Sequence, residues 1–145
     1  MTGLPPPKPG LDAFHRERSK CIDAFAALEE AIISILVSLK LKSGTETFGQ
    51  KLDMLAKAKA HPQFSKARMQ ALQLLLPRCK SLGELRNDIV HSRLQIAELG
   101  DETRACFTNT RHCLSGSQTA RLFTLDGIRS VRSEATELAS ALRAI

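Results

Sequence analysis

Residues 84–94, ELRNDIVHSRL, place an arginine, an amide and an imidazole on one predicted amphipathic helix. At about 100° per residue, Asn87 and His91 lie nearly one above the other. Arg86 lies roughly 140° from His91 around the helix axis, and Val90 and Asn87 fall between them. The sequence therefore predicts a helix face on which these polar groups surround Val90.

The opposite face of the same helix is apolar. Leu82, Leu85 and Ile89 point almost directly away from Asn87 and His91, so this stripe is expected to be buried in the domain. A plain solvated face would not need an apolar centre between its polar groups. We therefore expect a second contact surface with chemistry at its rim.

Apolar residues at three- and four-residue steps predict further helices on both sides of this segment. The predicted segments span residues 12–41, 47–60, 65–77, 78–93 and a final stretch from 124 onward. Asp12, Thr47 and Thr124 are the expected N-caps, and the third segment is expected to be halted or kinked at Pro77. Gly83 costs about 1 kcal/mol in a helix compared with alanine, which indicates a tight contact there.

The segment between residues 94 and 123 is less regular. Alternating residues on both sides of Gly100 favour a small β-hairpin slightly over continued helix, and residues 115–117 are typical of a loop. We therefore predict a mainly α fold: an antiparallel bundle of four to five helices with a small β-hairpin around residues 94–109. A single domain at residues 11–145 would follow a disordered, proline-rich leader at residues 1–10.

Composition limits the possible partners. The 145-residue chain has a net charge of +6, which favours an anionic partner such as RNA. It contains six Phe but no Trp or Tyr, so contact with backbone phosphates is a better expectation than base stacking. The four cysteines have no CxxC spacing, the first seven residues lack the apolar core of a signal peptide, and the most apolar run, residues 31–37, is too short to span a bilayer. We expect reduced thiols and a soluble, cytoplasmic protein that does not bind membranes.

The segment Arg86-Asn87-Asp88-Ile89-Val90-His91 resembles the RNxxxH motif of the HEPN superfamily. The resemblance covers residues 11–93 and 124–144, and it implies a helical bundle that is usually dimeric. Many members of that superfamily are metal-independent endoribonucleases, and others are non-catalytic binding modules. The resemblance implies Arg86, Asn87 and His91 as the catalytic residues of a homodimeric endoribonuclease, acting as a toxin or a defence effector.

The chemistry of these residue types fits RNA cleavage without a metal or a cofactor. Histidine exchanges protons near neutral pH, and the planar guanidinium of arginine matches phosphate oxygens. The resemblance implies that His91 handles protons, that Arg86 stabilises the phosphorane and that Asn87 orients His91 or the phosphate. It also implies two copies of Arg86 and His91 in one cleft of a symmetric dimer, with RNA and an antitoxin or other regulatory protein as further partners.

Several alternatives stay open at the level of sequence. The protein could be a non-catalytic HEPN module that binds RNA, a nucleotide or a protein partner, or a regulator built on the same bundle. His91 could be an ordinary histidine of an amphipathic helix, and Arg86 could pair with a carboxylate on a neighbouring helix. Cys106, His112 and Cys113 are poorly spaced for a metal site, and no P-loop is present.

Overall fold

Four helices and a three-stranded antiparallel sheet make up the regular structure of the described chain. The computed structural model describes residues 3–59, 61–109 and 119–145. The helices are α1 (Leu11–Ser38), α2 (Phe48–Ala56), α3 (Lys66–His91) and α4 (Leu125–Arg143), and the strands are β1 (Arg93–Leu99), β2 (Glu102–Asn109) and β3 (Thr119–Phe123). The fold is therefore mainly helical, which confirms the predicted class. Within the described ranges, no helix combines the length and the apolar character that crossing a bilayer requires.

The core is centred on α1 and α4, which make the most extensive contact between any two of these helices. Phe25, Leu28 and Ile32 of α1 are buried at three- and four-residue steps. Ile128 and Leu138 of α4 are fully buried as well. Burying one such side chain contributes about 1.5–3 kcal/mol, so this pair of helices is a main source of stability.

A carboxylate is buried beside this core, near the start of α1. Glu17 lies 3.3 Å from Nε of Arg129 and 3.4 Å from Nε of Arg132. Burial alone would raise the pKa of the Glu17 carboxyl. The hydrogen bond from Arg129 and the charges of Arg132 and Lys20 outweigh it and lower that pKa below its usual value. Glu17 is therefore held ionised, and it ties α1 to α4.

Two of the three predicted N-caps are confirmed. Thr47 and Gln50 form a reciprocal capping box at 3.2 and 2.9 Å, and Thr124 Oγ1 accepts a hydrogen bond at 3.0 Å from an N–H in the first turn of α4. The prediction for Asp12 is wrong, because the extended residue Gly10 precedes the helix and no side chain caps it. Asp12 lies in the first turn, where its negative charge still favours the positive end of the helix dipole.

The helix that was predicted to be halted or kinked at Pro77 is not halted there. Helix α3 is a single element of 26 residues with Pro77 inside it, so the third and fourth predicted segments are one helix. A proline inside a helix removes one hydrogen bond and costs about 3 kcal/mol. The buried positions Leu72, Leu76, Cys79 and Leu82 continue across it, and their burial offsets that cost.

The predicted hairpin is confirmed. Strand β1 pairs with β2 in antiparallel register from Arg93 opposite Thr108 to Leu99 opposite Glu102. Gly100, at the turn between them, has a φ of 63°, a left-handed conformation that glycine adopts without strain.

A third strand, β3, was not predicted. It pairs antiparallel with β2, in the sheet order β1-β2-β3, and the rings of Phe107 and Phe123 meet edge to face at 5.8 Å. Leu94, Ala105 and Phe107 are buried on the inner face of the sheet. The loop predicted at residues 115–117 lies outside the described residues. The sheet follows α3 directly and so lies next to the end of the helix that carries His91.

Candidate functional site

The three predicted site residues lie in the last two turns of α3. His91 is the last residue of this helix, and Asn87 lies one turn before it; both are exposed. Arg86 is largely covered, with 19% of its side chain exposed. On the opposite stripe, Leu82 and Ile89 are buried in the core as expected, whereas Leu85 is half-buried against it. Val90 is half-buried against that core, so it is less prominent on the surface than the sequence predicted.

The guanidinium of Arg86 is held by residues of three helices. Its Nη1 donates a hydrogen bond to Oδ1 of Asn87 at 3.3 Å, and its Nη2 lies 3.5 Å from Oε2 of Glu29 on α1. The ring of Phe48 on α2 lies under it, 5.4 Å from the guanidinium carbon, within the range of a cation–π contact. The structure therefore realises the alternative in which Arg86 pairs with a carboxylate of a neighbouring helix.

The tight contact expected at Gly83 is present. A Cβ atom at this position would lie 2.9 Å from two ring carbons of Phe48, which is closer than van der Waals contact allows. Gly83 thus lets the Phe48 ring lie against α3, one turn before Arg86. The same ring supports the guanidinium of Arg86, so the glycine contributes indirectly to the position of the arginine.

Glu29 is shared between two cations. Its Oε1 accepts a hydrogen bond from Nζ of Lys51 at 2.8 Å, while its Oε2 faces Arg86 at 3.5 Å. Lys51 is buried, with 7% of its side chain exposed, and Glu29 retains 26%. The cluster of Glu29, Lys51 and Arg86 therefore holds one negative and two positive charges.

The end of α3 is fixed by Arg18 of α1. Its Nε donates to the carbonyl of Ile89 at 2.9 Å, and its Nη2 donates to the carbonyls of Ser92 at 2.8 Å and Val90 at 3.4 Å. The last carbonyls of a helix have no partner within the helix and carry its negative dipole charge. A cation there donates hydrogen bonds to these carbonyls and compensates that charge. Arg18 thereby fixes the backbone on both sides of His91.

Asp88, inside the motif, has a structural contact of its own. It is buried and forms an ion pair with Arg121 of β3. Arg121 lies opposite Phe107 in the sheet, on the side of β3 that faces the core. The pair connects the motif helix to β3, which is one reason why the sheet lies beside the site.

Sequence reasoning missed Arg18, Glu29, Lys51 and Arg121. Arg18, Glu29 and Arg121 contact the motif helix from elements that are distant in sequence, and Lys51 contacts Glu29. Pairing of this kind leaves no local pattern. One signal was available for Glu29: it lies four residues after buried Phe25, at the border of the apolar stripe of α1. A charged residue at that position lies next to a neighbouring helix.

Two other sequence candidates, His15 and Cys106, lie on elements other than α3. His15 is exposed near the start of α1, and Cys106 lies on β2. The remaining residues of the poorly spaced metal motif, His112 and Cys113, lie outside the described residues. Among those described, no three His, Cys, Asp or Glu side chains are grouped so that they could hold a metal ion.

The buried thiols are poor nucleophiles. Burial raises the pKa of both Cys21 and Cys79 to about 11, so little thiolate forms at neutral pH. Cys21, Cys79 and Cys106 are all free thiols in the described part of the chain.

Comparisons with known proteins give no family assignment. No known protein family, curated protein or solved structure matches the chain. The function must therefore be argued from the geometry of the site.

Proposed function

We propose that this protein is a metal-independent endoribonuclease of HEPN type that acts as a homodimer. The observation that carries the proposal is the arrangement at the end of α3. There, Arg86 and Asn87 are joined by a hydrogen bond and exposed His91 follows one turn later. Cleavage of a phosphodiester without a metal needs proton transfer and stabilisation of the developing negative charge, and an imidazole and a guanidinium can supply these.

Each residue has a definite part in the reaction. His91 accepts the proton of the 2′-hydroxyl, or donates one to the leaving 5′-oxygen. Arg86 offsets the charge that builds up on the pentavalent phosphorus. Oδ1 of Asn87 already accepts from Arg86, which leaves its two N–H donors for a phosphate oxygen. The products are a 2′,3′-cyclic phosphate and a 5′-hydroxyl.

A second copy of the chain completes the site in this proposal. One protomer supplies a single His91, whereas the reaction needs both a base and an acid. A symmetric dimer formed across the face of α3 around Val90 brings two copies of Arg86 and His91 to one cleft. The net charge of +6 favours the approach of RNA to it. A nuclease of this kind in the cytoplasm is suited to a role as a toxin or defence effector under the control of an antitoxin.

The test is RNA cleavage in the presence of EDTA. We expect cleavage by the wild type and a loss of at least about a hundredfold in His91→Ala, because general acid–base catalysis contributes 10²–10⁴-fold. The matched control is His15→Ala, which removes an exposed histidine of α1, and we expect it to keep full activity. Equal rates for His91→Ala and the wild type, with unchanged helical circular dichroism, would rule out this mechanism.

Mixing inactive variants tests the shared cleft. A dimer of one Arg86→Gln protomer and one His91→Ala protomer still holds one intact copy of each group. We therefore expect only partial recovery of cleavage when the two variants are mixed and exchanged, because the single remaining His91 catalyses one of the two proton transfers while the remaining Arg86 stabilises the phosphorane. A strictly monomeric protein in light scattering, or no recovery in verified mixed dimers, would contradict the dimeric site.

One observation favours a second candidate, a non-catalytic module that binds RNA. Arg86 faces the Glu29 carboxylate at 3.5 Å in the single chain, so part of its charge is already compensated. A site of this kind can bind an RNA phosphate weakly without catalysing cleavage of the RNA chain. Salt-sensitive RNA binding with no cleavage product under any of these conditions would favour this candidate.

A further inference from the structure

The position of Lys51 relative to the site calls for a functional explanation. Its side chain is buried, and its ammonium group lies 2.8 Å from the same carboxylate that faces Arg86. The distance from that carboxylate to Arg86 is longer, 3.5 Å. Glu29 is therefore bound more closely to the buried lysine than to the partly exposed arginine.

Counting charges shows the consequence. One carboxylate cannot neutralise two cations, so the cluster of Glu29, Lys51 and Arg86 keeps one positive charge. Lys51 is too deeply buried to meet a ligand, whereas Arg86 keeps 19% of its side chain exposed and contacts the exposed Asn87. The surplus positive charge is therefore presented to solvent through Arg86.

We propose that Lys51 is a positioning residue that occupies Glu29 and so leaves Arg86 available to an RNA phosphate. The inference rests on the proposed function, in which Arg86 is the phosphate contact. Without Lys51, both oxygens of Glu29 are free to hold the guanidinium in the two-pronged geometry that arginine and carboxylate prefer. A phosphate would then have to displace an internal anion before it could bind.

Helix α2 is built to bring both supports to the site together. Phe48 and Lys51 are three residues apart and so lie on one side of the helix, where both are buried. Phe48 lies under Arg86 and against Gly83, while Lys51 reaches Glu29. This short helix thus contributes a surface that supports the arginine of α3 and a cation that binds the carboxylate facing that arginine.

The experiment measures binding separately from cleavage. The probe is a short fluorescent RNA of mixed sequence in which every 2′-hydroxyl is methylated, because such RNA cannot be cleaved through its 2′-oxygen. We expect Lys51→Met to weaken binding about tenfold or more, as loss of a charged hydrogen bond does. The slope of log Kd against log salt should fall by about 0.7, the value for one phosphate contact on single-stranded RNA.

A second change distinguishes this role from a merely structural one. Adding Glu29→Gln to Lys51→Met removes the carboxylate that would capture Arg86, so binding and salt slope return to within about twofold of the wild type. Lys57→Met, which removes an exposed lysine at the end of α2, is the matched control and binds as the wild type does. Circular dichroism of each variant verifies that the helices are intact.

The possible failures are distinguishable. If Arg86→Gln binds the probe as well as the wild type, Arg86 is not the phosphate contact, and both the proposed function and the role of Lys51 are overturned. If Arg86→Gln loses binding but Lys51→Met keeps it, only the role of Lys51 is overturned. That role is also overturned if Glu29→Gln fails to restore binding to a folded Lys51→Met protein. If Glu29→Gln restores binding but the protein cuts no RNA, the positioning role of Lys51 is supported and the proposed nuclease activity is refuted.

Discussion

Replacing Arg18 by methionine should loosen the end of α3 that carries His91. Arg18 makes two short hydrogen bonds to backbone carbonyls, 2.9 Å to Ile89 and 2.8 Å to Ser92, and a longer one of 3.4 Å to Val90. A hydrogen bond to a charged group contributes about 1.5–3 kcal/mol when buried, and a cation at a helix end adds up to about 1 kcal/mol.

The expected loss is smaller than the sum of these values. The hydrogen bonds are only partly buried, the contributions are not additive, and methionine keeps the apolar stem of the side chain. We therefore expect Arg18→Met to lower the free energy of unfolding by about 3 kcal/mol. For a domain of this size this corresponds to a fall of roughly 6–12 °C in Tm.

Urea unfolding followed by circular dichroism measures the change. Arg16→Met, an exposed arginine in the same turn of α1, is the matched control, and its effect should stay within about 0.5 kcal/mol. Arg18→Lys should give an intermediate loss, because a single ammonium group cannot reproduce the fork of the guanidinium. Hydrogen exchange should become faster in the peptide that contains residues 86–94, since the end of α3 opens more readily. If Arg18→Met unfolds like Arg16→Met, Arg18 does not fix this helix end.

Three further changes test other parts of the structure. Gly83→Ala should destabilise the protein by about 1–2 kcal/mol in urea unfolding, because overpacking against Phe48 exceeds the gain in helix propensity. Thr124→Ala should lower the free energy of unfolding by about 1 kcal/mol through loss of the α4 cap. Glu17→Gln should destabilise the protein at pH 7. That difference should shrink as the pH falls below 4.5, because a carboxyl whose pKa is lowered by folding loses its contribution on protonation.

For each of these three predictions, one experimental result would contradict it. Gly49→Ala is the control for Gly83→Ala, because nothing lies within 4 Å of a Cβ at Gly49. Equal effects at the two glycines would show that the Phe48 contact is unimportant. Thr124→Ser, which keeps the hydroxyl, should retain most of the cap energy, and a loss as large as that of alanine would point to another role. A stability difference for Glu17→Gln that persists unchanged at acidic pH would contradict the lowered pKa.

Local rules predicted the elements of the fold whose cause lies in neighbouring residues. The capping box at Thr47, the cap at Thr124 and the turn at Gly100 follow from short-range chemistry that the sequence displays directly. The buried stripe of the motif helix follows from its periodicity. The tight contact at Gly83 could be predicted because glycine is unfavourable inside a helix and is therefore expected where a larger side chain would not fit.

The continuity of α3, the strand β3 and the partners of the motif depend on contacts between residues that are distant in sequence. Pro77 has an unfavourable local effect, yet the buried residues on both sides of it keep α3 continuous. Strand β3 exists because it pairs with β2, and its own residues carry no distinct strand pattern. The partners of the motif came from other elements for the same reason: Glu29 and Arg121 are far from residues 86–91 in sequence. Which side chains the motif carries could be read from the sequence, but not which neighbours compensate their charges.

The direct passage from helix to strand places a strict limit on length at one point of the chain. Only Ser92 separates His91 from Arg93, where β1 begins. Because successive side chains of a strand point to opposite faces, a single residue inserted here would turn Leu94 outward and bring Arg93 into the interior, unless the whole hairpin shifted. The spacing between the imidazole and the sheet is thus fixed as firmly as the core itself, and variation in loop length must be accommodated elsewhere.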